Sequence, residues 1–181
     1  MVRSIVIPHD RSRPAHVCEL ADLGAFQAAV DGSLEPLEIP TLDVTVYMNE
    51  GARREHQPLN VRASALWWYC SAVPTEFPLI LGDVVLAGNG HQSDEDGGDV
   101  PALVEQQIFG SRTFLVQATR HGDPNTWRDT MAQFDNLFDA AVWCSLFRAT
   151  MGQASCFRLI GEDSGTDVLA GLRTSGGERL W

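Results

Sequence analysis

Short apolar runs that alternate at a period of two are the feature that most constrains the fold of this chain. In residues 41–48, T-L-D-V-T-V-Y-M, Val44 and Val46 would lie on one face of a strand and Thr45 and Tyr47 on the other. Comparable runs, separated by short turn-forming segments, occupy residues 4–8, 15–20, 34–40, 79–88, 113–119 and 156–174. Short connections favour antiparallel neighbours, so the sequence predicts a mostly antiparallel sheet.

Three segments show helical patterns. One runs over residues 23–30, with Asp22 as the cap and Asp31-Gly32 as the stop. A second covers residues 59–72, with Asn60 near its first turn. A third is expected from Asp123 to about residue 151, because large apolar residues recur there at three- and four-residue steps. The predicted class is therefore α+β, a mostly antiparallel sheet with two or three helices.

One segment divides the chain. Residues 89–99, N-G-H-Q-S-D-E-D-G-G-D, contain no apolar side chain and are typical of a linker or an exposed loop. The sequence predicts a small α+β domain at residues 1–92, an acidic glycine-rich loop at 93–100, and a strand-helix-hairpin half at 101–181. The alternative is that the two halves pack as one domain.

Within residues 20–89, polar and turn positions follow a recognisable order. The stretches are F-Q-A-A-V-D-G-S-L-E-P-L-E-I-P, D-V-T-V-Y-M-N-E, Q-P-L-N-V-R-A-S-A-L and L-I-L-G-D-V-V-L-A-G-N. This order resembles the domain-of-unknown-function family 3846, which occurs in phages, plasmids and bacterial genomes. The resemblance names a relative and implies no reaction, ligand or cofactor.

Three polar residues match the positions associated with that family: Asn49, Glu50 and Asn60. One interpretation makes them a small hydrogen-bonding site. The other makes Asn49 a turn residue and Asn60 a helix cap, because the short amide of asparagine bonds nearby backbone.

The formal net charge of −11 argues against a protein that grips nucleic acid by neutralising phosphates. We expect a basic protein partner and no direct nucleic-acid binding. The candidate partner-binding acids are Asp94, Glu95, Asp96 and Asp99, which could imitate a run of DNA phosphates. The alternative is a solvated loop. All 13 basic residues are arginine, which indicates a G+C-rich genome such as that of an actinobacterium or its phage.

Two neighbouring tryptophans, Trp67 and Trp68, precede Tyr69 on the second predicted helix. Successive helical side chains diverge by about 100°, so the three cannot all face one core. They predict a second packing surface, for a homodimer or a partner, or else burial between the two halves.

Evidence for an enzyme is sparse. The four cysteines are dispersed and lack zinc-ligand spacing, so we expect buried free thiols. A rival active site is centred on His121 and Asp123, with Asp135 and Asp139 on a nearby helix face. No phosphate-binding or nucleophile motif accompanies them, so no catalytic, metal-binding or cofactor-binding residue is assigned.

Together these observations predict an acidic, non-enzymatic accessory protein of phage or plasmid type that binds another macromolecule, such as a host defence or DNA-handling protein. The alternatives are an enzyme near His121 and Asp123, or an assembly component with an aromatic oligomer interface. No apolar run approaches the roughly 20 residues of a membrane helix, and the first residues, M-V-R-S-I-V-I-P-H-D, do not form a secretory signal. We therefore expect a cytoplasmic protein of a bacterial host cell.

Overall fold

A computed structural model describes residues 1–70, 79–89, 98–120, 126–151, 155–163 and 165–168. The chain divides into two compact units. The first comprises the described residues within 1–64 and 75–102, and the second those within 65–74 and 103–181. No helix in the described ranges has the length and apolar character needed to cross a membrane.

The first unit is built on a five-stranded sheet. Its strands are β1 (Val2–Ile7), β2 (His16–Leu20), β3 (Leu34–Ile39), β4 (Val44–Asn49) and β5 (Val84–Gly88). Their spatial order is β2-β1-β5-β4-β3, and every neighbouring pair is antiparallel. The pairing of β1 with β5 joins segments that are distant in sequence, and its register sets Ile7 opposite Val84.

Helix α1 (Leu23–Val30) covers one face of this sheet. It begins where the Asp22 side chain accepts the Ala25 N–H at 2.9 Å, and it ends at Asp31 in the left-handed region. Phe26 and Val30 are buried against a cluster of sheet side chains that includes Val6, Val85 and Ala87. Burying an apolar side chain of this size contributes about 1.5–3 kcal/mol, so this contact fixes α1 on the sheet.

Helix α2 (Val61–Cys70) begins in the first unit, directly after Asn60. The Asn60 Oδ1 accepts the Ala63 N–H at 3.0 Å, which satisfies one of the donors left open at a helix start. A short 3₁₀ helix at Pro40–Leu42 connects β3 to β4.

The second unit contains another antiparallel sheet. Its elements are α3 (Ala102–Phe109), β6 (Phe114–Arg120), β7 (Arg128–Phe134), α4 (Leu137–Met151), β8 (Ser155–Gly161) and β9 (Thr166–Val168). The strand order is β7-β6-β8-β9. Helix α4 packs on this sheet, where Trp143 stacks on Phe147 with ring centroids 4.0 Å apart and meets Phe157 edge to face.

The predicted α+β class with mostly antiparallel pairing is confirmed. The described residues contain four α-helices, two of them predicted in place, whereas α3 was not predicted. The prediction of one helix up to residue 151 is wrong in its first half, because Arg128–Phe134 form β7 and the helix begins only at Leu137. The proposed Asp123 cap lies outside the described residues.

The cysteines differ in exposure. Cys70 and Cys144 are buried and Cys18 is partly buried, but Cys156 is exposed, so burial of all four was wrong. Cys156 precedes the buried Phe157 in β8, and the alternation of the strand turns it to the opposite face.

Candidate functional site

A charged cluster lies at one end of the first sheet. His9 follows β1 after one residue and Asp83 directly precedes β5, so the antiparallel register of these strands brings them together. The His9 Nδ1 atom is 2.6 Å from Asp83 Oδ1, which also accepts the His9 backbone N–H at 2.9 Å. Arg13 donates from Nη1 to Asp83 Oδ2 at 3.0 Å. Both oxygens of one carboxylate are therefore occupied by donors.

Burial works to raise the pKa of Asp83, but the hydrogen bonds from His9 and the charge of Arg13 outweigh it and lower that pKa. The Asp83 carboxylate is thus ionised at neutral pH. An ionised carboxylate only accepts hydrogen bonds, so the proton between the two groups belongs to His9 Nδ1. Among the described residues, the hydrogen bonds of the His9 ring are made through Nδ1 and not through Nε2.

The loop that carries His9 and Arg13 is held from beneath by a buried arginine. Arg62, in the first turn of α2, donates from Nη2 to the carbonyl oxygens of Pro8, Asp10 and Arg13, the last two at 2.7 and 3.0 Å. Because Nη2 carries two protons, at least one of them is shared between two of these carbonyl oxygens. Arg62 therefore fixes the backbone around the cluster.

Asn60 fixes the backbone of the segments next to His9 and Asp83. Its buried Nδ2 donates to the carbonyl oxygens of Ile7 at 2.8 Å and Gly82 at 2.9 Å. These are the backbone groups immediately next to the loop of His9 and to Asp83. One asparagine thus joins the end of β1, the approach to β5 and the start of α2.

The cluster opens into a cleft of about 600 Å³ on the α1 side of the sheet. Its apolar wall includes Val6, Leu20 and Val30, and its polar lining comprises His9, Arg13, His16, Cys18, Asp31, Gln57 and Asp83. This volume lies in the range of pockets that hold small molecules, which is about 300–1,000 Å³.

Cys18 does not form a nucleophile with His9. It pairs with Ser4 in the β1–β2 register, whereas His9 lies beyond the far end of β1, at least about 10 Å along the strand direction. Burial raises the pKa of the Cys18 thiol, and Glu19 adds to the rise, so the thiol stays protonated. The cleft lining therefore does not offer an activated thiolate.

The Gln57 side chain lies against Gly82, whose φ of +71° is in the left-handed region. A Cβ added to Gly82 would overlap Gln57 Oε1, so the end of the Gln57 side chain would have to shift, and the backbone angle itself favours glycine. Gln57 Oε1 is buried and has no hydrogen-bond partner among the described residues. Gln57 is one of the residues that line the cleft.

The structure describes the two ends of the acid-rich segment. Gly88 and Gly98 exchange two backbone hydrogen bonds of 2.8 and 2.9 Å, so the two ends of residues 89–97 are held together. Asp99 Oδ1 accepts the Arg3 N–H at 2.8 Å, and Asn89 Oδ1 accepts from the Thr45 hydroxyl at 2.6 Å. Asp94, Glu95 and Asp96 lie outside the described residues.

The polar residues of the family motif are found in separate backbone networks. Asn49 is buried; its Nδ2 donates to Asp31 O at 2.6 Å and Glu55 Oε2 at 2.8 Å, and its Oδ1 accepts the Gly51 N–H. Asn60 supports α2 and β1 as described above. Glu50 is exposed. Within the described residues, no hydrogen bond joins these three side chains into one group.

The aromatic residues of α2 differ in environment. Trp67 and Trp68 are partly buried, and Trp67 Nε1 is buried without a hydrogen-bond partner in the described part of the chain. Tyr69 is buried, and its hydroxyl accepts the Leu159 N–H at 3.1 Å within the second unit.

The acids on the third predicted helix are bridged by an amide. Asn136 Nδ2 donates to Asp135 Oδ1 and Asp139 Oδ2, both at 3.0 Å. No set of three or more histidine, cysteine, aspartate or glutamate side chains in the described ranges is placed to hold a metal ion. The rival active-site residues His121 and Asp123 lie outside those ranges.

Sequence reasoning missed the cleft. His9 and Asp83 are 74 positions apart, and each looked like an ordinary turn residue. Only the non-local pairing of β1 with β5 makes them neighbours, and period-two alternation does not say which strands pair. A weak signal was available, because a polar residue flanks each of two strongly apolar strands.

Comparison with known proteins adds one relationship. No curated protein and no solved structure matches the chain. The model of a family described as a domain of unknown function (DUF3846) matches residues 2–110, which is more than half of the 181 residues. The match includes β1 to β5 and therefore His9, Arg13 and Asp83. The chain belongs to the DUF3846 family.

Proposed function

We propose that this protein is an acidic accessory protein of phage or plasmid type that binds a basic protein partner and has no enzymatic activity in that role. The binding residues are Asp94, Glu95 and Asp96, with Asp99 at the base of the segment. The partner is a host defence or DNA-handling protein whose basic surface accepts a row of carboxylates in place of DNA phosphates.

The observation that carries this proposal is that the two described ends of the acid-rich segment are hydrogen-bonded to each other and to the first sheet. The Gly88–Gly98 hydrogen bonds and the bond from Arg3 N–H to Asp99 anchor both ends on the first sheet. A tethered segment loses less conformational entropy on binding than a free chain of the same length. The described ends of the segment that carries these acids are therefore fixed on the first sheet.

Charge supports the same proposal. The chain carries 24 acidic and 13 arginine residues, and a net charge of −11 steers a basic partner toward it. The arginine-only composition fits an actinobacterial host or its phage, and we place the protein in the bacterial cytoplasm with its partner.

Affinity purification from such a host tests the proposal. The tagged protein is compared with a triple variant, Asp94→Asn, Glu95→Gln and Asp96→Asn, at low and high salt. Asp99 is left intact because its carboxylate binds Arg3 N–H. We expect a stoichiometric basic partner that is retained at low salt and lost in the triple variant.

A charge-matched control separates local recognition from net charge. The variant Glu35→Gln, Glu38→Gln and Glu162→Gln removes three exposed carboxylates elsewhere, so both triple variants carry a formal charge of −8 instead of −11. The proposal requires the control to retain the partner. Equal loss from both variants would show that overall charge alone governs binding.

A homodimer through α2 is a second candidate, favoured by one observation. Trp67 and Trp68 are both partly buried, and Trp67 Nε1 has no hydrogen-bond partner among the described residues. Large aromatic side chains that keep part of their surface exposed are enriched at interfaces. Analytical ultracentrifugation of the protein and of Trp67→Phe tests it: a dimer weakened by Trp67→Phe supports this candidate, and a monomer at all concentrations removes it.

A further inference from the structure

We propose that the cleft of the first unit binds a small organic oxyanion, a phosphate ester or a carboxylate on a compact apolar body that also carries an N–H or O–H donor. This site is separate from the acid-rich segment and goes beyond the proposed partner binding. The residues that would contact the ligand are Arg13, His9 and Gln57, which all line the cleft.

The oxyanion is recognised by the basic side of the cleft. Arg13 uses Nη1 for Asp83, and its side chain is 54% exposed, so the other guanidinium N–H groups can reach a ligand. His16 also lines this side; its Nδ1 lies 3.3 Å from Pro14 O, which leaves Nε2 for a ligand. A planar guanidinium beside imidazole rings suits the geometry of carboxylate and phosphate oxygens.

The nearby carboxylate does not cancel this preference. The Asp83 charge is balanced by Arg13, and the two Asp83 oxygens accept hydrogen bonds from His9 and Arg13, so an oxyanion meets the remaining N–H groups of Arg13 and not a free carboxylate of Asp83. Asp83 also orients the His9 ring by holding Nδ1, and His9 lines the cleft. A carboxylate that binds one ring nitrogen of a histidine fixes the orientation of the ring and determines which nitrogen remains for other contacts.

The apolar part of the ligand and its hydrogen-bond donor would contact the opposite side of the cleft. Leu20, Ala28 and Ala29 provide an apolar surface for a compact, ring-sized group. Gln57 also lines the cleft, and its buried Oε1 has no hydrogen-bond partner among the described residues, which is unfavourable. The carboxylate of Asp31, at the end of α1, is a second acceptor in the cleft. A ligand that donates a hydrogen bond here is therefore preferred over one that does not.

The site is preorganised by groups that a ligand would not touch. Arg62 and Asn60 fix the backbone on both sides of the cluster, and Gly82 holds Gln57 in contact. A rigid set of polar groups loses little entropy on binding, which distinguishes a built site from a chance surface depression.

The test is titration of the intact protein, monitored by NMR and calorimetry, with a series of probes. The probes are inorganic phosphate, phenyl phosphate, 4-aminophenyl phosphate and 4-aminobenzoate. Phenyl phosphate adds an apolar ring to inorganic phosphate, and 4-aminophenyl phosphate adds an N–H donor to that ring. The benzoate replaces the phosphate by a carboxylate. We expect affinity to rise along the phosphate series, with shifts confined to residues that line the cleft. Comparing 4-aminophenyl phosphate with 4-aminobenzoate distinguishes the two oxyanions.

Variants assign the contacts. Arg13→Gln should weaken binding of 4-aminophenyl phosphate at least tenfold, because charge-assisted hydrogen bonds are the strongest contacts in the site. Arg53→Gln, an exposed arginine outside the cleft, carries the same charge change and should leave affinity unchanged. The acid-segment triple variant should also bind normally, which separates this proposal from the partner proposal.

His9→Asn provides a second test that preserves the fold. The asparagine amide can still donate to Asp83 from the position of Nδ1, but the Nε2 atom is deleted. We expect weaker probe binding with an unchanged melting temperature. Equal binding by the wild type, Arg13→Gln and His9→Asn would overturn the proposal, as would an equally weak response to all four probes, which would mean an adventitious ion only.

Discussion

At the scale of single residues, Asp83 makes the stability of the first unit depend on pH. Its pKa is lowered in the folded protein, so its contribution is present above the unfolded pKa of about 3.9 and is lost as pH falls through the folded value. Asp83→Asn should lower the free energy of unfolding by about 1.5–3 kcal/mol at pH 5, the magnitude of a hydrogen bond to a charged group.

Urea unfolding of both proteins at pH 5, 4 and 3 checks this prediction. The difference between wild type and Asp83→Asn should shrink as the pH falls below about 3.9, because the unfolded chain then protonates Asp83 while the folded carboxylate, with its lowered pKa, stays ionised to lower pH. A difference that stays constant or grows on acidification would contradict the assigned direction of the pKa shift.

At the scale of elements, Asn60 joins β1, the approach to β5 and α2 through three side-chain hydrogen bonds. Asn60→Ala leaves two buried carbonyl oxygens and one helix N–H without partners, and we expect a loss of about 2–4 kcal/mol. Asn136→Ala is the matched control, since Asn136 accepts the Asp139 N–H at the start of α4 and a lost cap costs about 1 kcal/mol. Similar losses from both substitutions would show that Asn60 acts only as a cap.

A double-mutant cycle examines the contact between Gly82 and Gln57. Gly82→Ala should cost more than the roughly 1–2 kcal/mol of a left-handed alanine, because its Cβ also overlaps Gln57. In the Gln57→Ala background only the backbone part should remain. Additive losses in urea unfolding would mean that the two residues do not restrict each other.

The elements differ in how far sequence could predict them. Helix α1 was predicted from the Asp22 cap to the stop at Asp31, because its signals are local. Strand β7 was mistaken for helix, because Trp127, Met131 and Phe134 follow helical spacing, whereas pairing with β6 imposes alternation with a bulge. Met131 has a positive φ and is 92% exposed, which no local pattern indicates. The cap made by Asn136 was a local signal for the true start of α4.

The candidate sites show the same division. The capping geometry of Asn60 was among the alternatives drawn from its residue type, whereas the bonds it makes to Ile7 and Gly82 depend on tertiary structure. Likewise, the His9–Asp83 pair follows from which strands are neighbours in the sheet. Long-range pairing is therefore the information that a single sequence lacks here.

At the scale of the whole molecule, the family match and both proposed binding sites lie in the same part of the chain. Residues 2–110 include the cleft and the acid-rich segment, while the second sheet and α4 lie beyond the match.

We expect the Asp94, Glu95 and Asp96 triple variant to melt within about 2 °C of wild type, because the proposal gives these carboxylates a role in binding and none in folding; differential scanning calorimetry can check this. A larger drop would show that these acids are needed for folding.

The most direct test of the partner proposal is the salt dependence of the affinity of the purified complex. Raising ionic strength from about 0.1 to about 1 M shortens the Debye length from about 10 Å to about 3 Å. We predict that wild-type affinity falls steeply over this range, and that the triple variant binds weakly with a much flatter dependence. Affinity that is independent of salt and equal in both proteins would contradict electrostatic recognition by the acid-rich segment.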